Sequence, residues 1–94
     1  MNKEEVLKEA IIKIEQKDND NAINLLEEII KFDENFEDAY FYLGDVYNNI
    51  QQYGKAINCY NKVLDLNPER VEAKTKVNML KSIFDFYNKD IYNP

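Results

Sequence analysis

At 94 residues the chain has room for one small domain and no second, and with 45% apolar and 32% charged residues it has the balance of a folded, soluble protein. Twelve Lys and Arg against eighteen Asp and Glu leave a net charge of −6, which repels nucleic-acid phosphate and anionic membrane surfaces. Without His, and with a single Cys, Ser and Thr, the chain lacks the makings of a catalytic triad, a His proton shuttle or a zinc site. It reads as a non-catalytic protein that calls for no cofactor and no metal.

Apolar residues recur three and four apart almost from end to end, and only two Gly and two Pro interrupt them, so the predicted fold is all-α. The first stripe is Leu7, Ala10, Ile11 and Ile14. The turn after it, Asp18-Asn19-Asp20-Asn21, lacks the Gly and the twelfth-place Glu of a calcium loop, Ile29 standing there instead; it reads as a turn with an N-cap. A second stripe runs through Ala22, Ile23, Leu26, Ile29, Ile30 and Phe32, and a third through Tyr40, Leu43, Gly44 and Tyr47. Gly44 in mid-helix costs about 1 kcal/mol against Ala, which points to a close helix approach with Ala56 opposite and Tyr40, Tyr47 and Tyr60 filling the space around it. Cys59, with no cation beside it, reads as structural, and one unpaired Cys fits a reducing cytoplasm. No N-terminal apolar signal stretch is evident, and no apolar run approaches the roughly 20 residues that span a bilayer. Asn67-Pro68 reads as an N-cap and first helical residue, opening one long helix striped by Ala73, Val77, Leu80, Phe84, Tyr87 and Ile91.

Shifted by 34 residues, the chain repeats itself: Ala22-Ile23-Asn24 falls on Ala56-Ile57-Asn58, Ile29-Ile30 on Val63-Leu64, Phe32 on Leu66 and Ala39 on Ala73. Residues 37–70 then follow the order Tyr40, Leu43, Gly44, Tyr47, Ala56, Tyr60, Pro68 and resemble the tetratricopeptide repeat in period and signature, Val63 being the one departure. Residues 3–36 make a weaker copy, with Glu34 in the place of Pro. The first stripe falls one residue late, which suggests either a turn near Lys17–Asn21 shortened by one residue or a first helix rotated as an end cap. The resemblance implies one domain over residues 1–94: repeat 1 at 3–36, repeat 2 at 37–70, then a cap helix and tail at 71–94. Five helices are expected, near 3–16, 20–32, 37–50, 54–66 and 68–88, as αα-hairpins stacked into a right-handed superhelical fragment.

In this family the first helix of each pair lines a concave groove for a peptide or partner helix. Carried over by position, that face is Asp38, Phe41, Asp45 and Asn48, then Thr75, Met79, Ser82 and Ile83. The implied function is an adaptor that binds a basic and apolar protein segment, with Phe41 and Met79 as anchors and the aspartates setting charge preference. A carboxylate clamp of the chaperone-binding kind is not expected, since Asp45 would repel the carboxylate. On a plainer reading Asp38, Asp45 and Asn48 are ordinary solvated residues. Phe41, Met79, Ile83 and Phe86 exceed what one neighbouring helix covers, and three covers remain open: a ligand, a second copy forming a homodimer, or the tail 88–94. With Phe41 as an exposed anchor, Phe41→Ala would leave stability nearly unchanged.

Overall fold

The computed structural model describes the backbone of residues 1–92 and the side chains of residues 1–86. Five helices occur in it: α1 (Lys3–Glu15), α2 (Asn19–Phe32), α3 (Glu37–Asn49), α4 (Tyr53–Leu66) and α5 (Val71–Tyr92). A side chain satisfies a free N–H at the start of α1, whereas α2, α3 and α4 open without a side-chain cap bond. Asn2 caps α1 by accepting from the Glu5 N–H, and Asp18 stands at the cap of α2, held by the Asn21 amide at 2.8 Å.

The 34-residue period governs the geometry as well as the letters. First helices start at Lys3, Glu37 and Val71, and second helices at Asn19 and Tyr53. The first turn is therefore not shortened: α1 and α3 each run for 13 residues and close in the same way. After α1 the N–H of Lys17 reaches the Ile14 carbonyl and that of Asp18 the Lys13 carbonyl; after α3 Gln51 and Gln52 bond to Asn48 and Tyr47. This paired closure requires a left-handed residue, and Lys17 (φ 61°) and Gln51 (φ 64°) supply it.

The other turn repeats too, and it revises the start of the last helix. Asn67 ends α4 rather than capping α5, and its side-chain oxygen accepts from the Glu69 N–H, as Asp33 accepts from Asn35. Pro68 thus lies in a turn, and α5 begins at Val71 and continues past residue 88 to Tyr92. Whether residues 93–94 and the side chains of 87–92 cover any surface lies outside the described residues.

Burial follows the period. Ala22 and Ala56, Leu26 and Tyr60, Ile29 and Val63 are fully buried at matching places on the second helices, as are Ala39 and Ala73 on the first. Two apolar clusters result, one between α1, α2 and α3 and one between α3, α4 and α5, with Tyr47 packed against both. Each fully buried Leu, Ile or Val contributes about 1.5–3 kcal/mol. Gly44 faces the ring of Tyr60: a Cβ there would lie 2.7 Å from Tyr60 Cε1. The close approach inferred at Gly44 is therefore made by an aromatic side chain, where Ala56 was expected.

Candidate functional site

On α3 the four positions expected to line the groove do not form one open face. Phe41 is only 8% exposed and belongs to the second apolar cluster, so it is not the free anchor that helix spacing implied. Its ring packs edge-on to Tyr42 and Tyr60, at centroid distances of 5.8 and 5.6 Å. Over it lie the Arg70 guanidinium, 4.2 Å from the ring centroid, and the Lys76 ammonium, at 5.2 Å. Two cations from the start of the cap helix thus cover the ring from above.

The same cations hold the two aspartates. Arg70 donates to Asp38 at 2.5 Å and to Glu37 at 3.1 Å. Lys76 Nζ lies 2.6 Å from Asp45 Oδ1, which also accepts from the Tyr60 hydroxyl. Burial works to lower the Arg70 pKa, but Asp38 and Glu37 outweigh it and hold that pKa above its ordinary value. Burial, then the Asp45 carboxylate, pushes the Tyr60 hydroxyl well above the usual range, so it stays a proton donor. The acidic groove expected at Asp38 and Asp45 is therefore largely neutralised from within. Cys59 is inert as well, since burial, with Glu27 adding, pushes its thiol up to about 11.

An open cleft does exist one repeat further on. It has a volume of about 440 Å³ and lies along α5, with Asn48 of α3 at its edge. Of the expected groove residues it gathers Asn48, Thr75, Met79 and Ile83, and adds Val71, Leu80, Glu72 and Lys76. Val71 and Met79 are 66% and 58% exposed. Ser82 lies in an adjoining hollow with Tyr53, Ile83 and Phe86, and its hydroxyl donates to the Asn78 carbonyl at 3.1 Å. Val71 and Glu72 were missing from the sequence reading, which carried the groove face onto the last helix only from Thr75 onward. Counting 34 residues from Glu37 and Asp38 finds both.

Among the described residues no group of His, Cys, Asp and Glu could hold a metal ion, and no helix is long and apolar enough to cross a membrane. Residues 37–70 match the family model "Tetratricopeptide repeat". Tetratricopeptide repeat protein 12 of Mus musculus is 35% identical over 52 residues, which are 54% of this chain and 7% of that protein. Two crystal structures of MamA share the fold. One superposes with a TM-score of 0.82 at 24% identity, covering 85% of this chain and 47% of the other. The second does so at 0.81 and 20%, covering 98% and 58%. Signature, helix period and superposition agree: residues 37–70 carry a tetratricopeptide repeat, and the chain has the stacked helical-hairpin fold of tetratricopeptide-repeat proteins, which supports a protein-interaction role in general terms.

Proposed function

We propose that residues 1–94 act as one non-catalytic interaction domain, two helical pairs at 3–36 and 37–70 closed by the segment 71–94, and that it works as an adaptor seating a partner segment in the cleft along α5. The observation that supports this reading is the apolar lining of that cleft by Val71, Met79 and Ile83 at the mouth of a preformed groove. A rigid helical stack leaves most of the ordering cost to the ligand. A basic and apolar segment suits a chain of charge −6, and a reducing cytoplasm suits its single thiol. The test is a pull-down from lysate of the source cell with wild type and a Thr75→Asp/Met79→Asp variant of matched helicity. A partner retained by wild type and lost by the variant is the expected outcome; identical retained proteins would remove the cleft as the working surface.

A second reading is favoured by the continuation of the apolar face to Phe86, 72% exposed: a homodimer formed through α5. It predicts a sedimentation coefficient that rises with protein concentration and loses that dependence in Met79→Asp.

A further inference from the structure

The chain contains its own example of how something docks at this place. Arg70 and Lys76 come down onto Glu37, Asp38, Phe41 and Asp45 of α3. Thirty-four residues on, those four places on α5 are Val71, Glu72, Thr75 and Met79. Thirty-four residues back they are Lys3, Glu4, Leu7 and Ile11, and there Leu7 packs in one apolar cluster with Phe36 and Tyr42, which stand where Arg70 and Lys76 stand in the next repeat. A platform with one carboxylate, Glu4, beside Leu7 is thus met by aromatic rings, and the one that carries Glu37, Asp38 and Asp45 is met by cations. The platform on α5 is mixed, with one carboxylate beside Thr75 and the exposed Met79.

We propose that Glu72 selects the charge of the partner: the cleft takes a protein segment that presents Lys or Arg to Glu72 and, beside it, an apolar side chain over Val71, Thr75 and Met79. This rests on the reading of the cleft as a protein-binding surface. Glu72 is exposed and makes no ion pair among the described residues, whereas Asp38 and Asp45 are already held by Arg70 and Lys76. Lys76, the cation on the cleft wall, is engaged by Asp45, so Glu72 carries the uncompensated charge there. A second copy suits the place poorly. It brings a charge of −6 of its own, and its α1 carries Glu5 and Glu9 where α3 seats Ala39 and Leu43 and α5 seats Ala73 and Val77.

The probes are two sets of fluorescein-labelled peptides with the same apolar residues, one carrying Lys and Arg and the other Glu, titrated by anisotropy into the full chain. Proteins compared are wild type, Glu72→Lys, Met79→Asp and, as a surface-charge control on α2, Glu28→Lys, each checked by circular dichroism. Wild type should prefer the basic set, Glu72→Lys should weaken it about tenfold and improve the acidic set, and Glu28→Lys should change neither. Equal binding of both sets, or equal effects of Glu72→Lys and Glu28→Lys, overturns the inference. If Met79→Asp alone abolishes binding, the cleft stands and the assignment to Glu72 falls; if neither variant matters, the cleft reading falls too. A dimer dissociated by Met79→Asp would place a second copy in the cleft and overturn the inference equally.

Discussion

Tyr60 shows how one residue sets the packing of its surroundings. Its ring is fully buried against Gly44 and Phe41, while its hydroxyl is satisfied by Asp45, so a large polar-tipped side chain sits in the core without an unpaired group. Gly44 exists for that ring. Gly44→Leu should destabilise by several kcal/mol, because a Cβ already comes within 2.7 Å of Tyr60 and the ring has Phe41 behind it; a melting temperature unchanged from wild type would contradict this packing. Phe41→Ala should cost about 3–5 kcal/mol in denaturant unfolding, the range for emptying a buried aromatic site. The opposite expectation came from the helical wheel, which places Phe41 off the stripe facing α4. A wheel carries no information about Arg70 and Lys76, about thirty residues away, whose apolar stems and charged ends roof the ring.

Helix ends and turns obey rules that operate over a few residues, yet the sequence misled at two of them: Asn67-Pro68 lies in a turn before α5, and the turn after α1 is not shortened. The 34-residue recurrence of the paired hydrogen bonds after α1 and α3 rules out a turn deletion, because backbone closure, unlike an apolar stripe, allows no one-residue slip. Lys17 and Gln51 hold a left-handed conformation that costs a side-chain-bearing residue about 1 kcal/mol, so Gln51→Gly should raise the melting temperature slightly. A lower one would mean that the Gln51 side chain contributes more than its backbone costs. The turn between α2 and α3 adds a charge pair, Lys3 Nζ to Asp33 Oδ2 at 2.7 Å. Lys3 holds the Asp33 carboxyl below its usual range, with the Asn35 N–H adding, and Asp33 in turn raises the Lys3 ammonium. A lowered carboxyl pKa stabilises the fold above the ordinary carboxylate value, and that contribution disappears as pH falls through the lowered one. On the alkaline side the same pair is lost only as pH rises through the raised value of the Lys3 ammonium. Asp33→Asn should therefore flatten the acid limb of stability against pH by lowering stability slightly at neutral pH while leaving the most acid region unchanged, as melting curves across pH would show.

Across the whole molecule, stability is carried by contacts between successive helices, since each repeat touches its neighbours and little else. Helices α3 and α4 have packed neighbours on both sides and share the cluster around Phe41, Tyr60 and Val77, whereas α1 has a neighbour on one side only. Native-state hydrogen exchange should accordingly find the slowest amides in α3 and α4 and faster ones in α1. Slowest exchange in α1 would show that the stack is not held from its middle. The all-α class, the helix pairs, the 34-residue period and the repeat signature of residues 37–70 were determined by the sequence alone, because periodicity and a signature motif are written within short windows of chain. Only the tertiary structure decided that Phe41 is core, that Asp38 and Asp45 are neutralised, and that the open surface lies on α5 with Glu72 at its edge. Those outcomes depend on which charged side chains reach across from the next repeat, and such contacts are set when the helices stack.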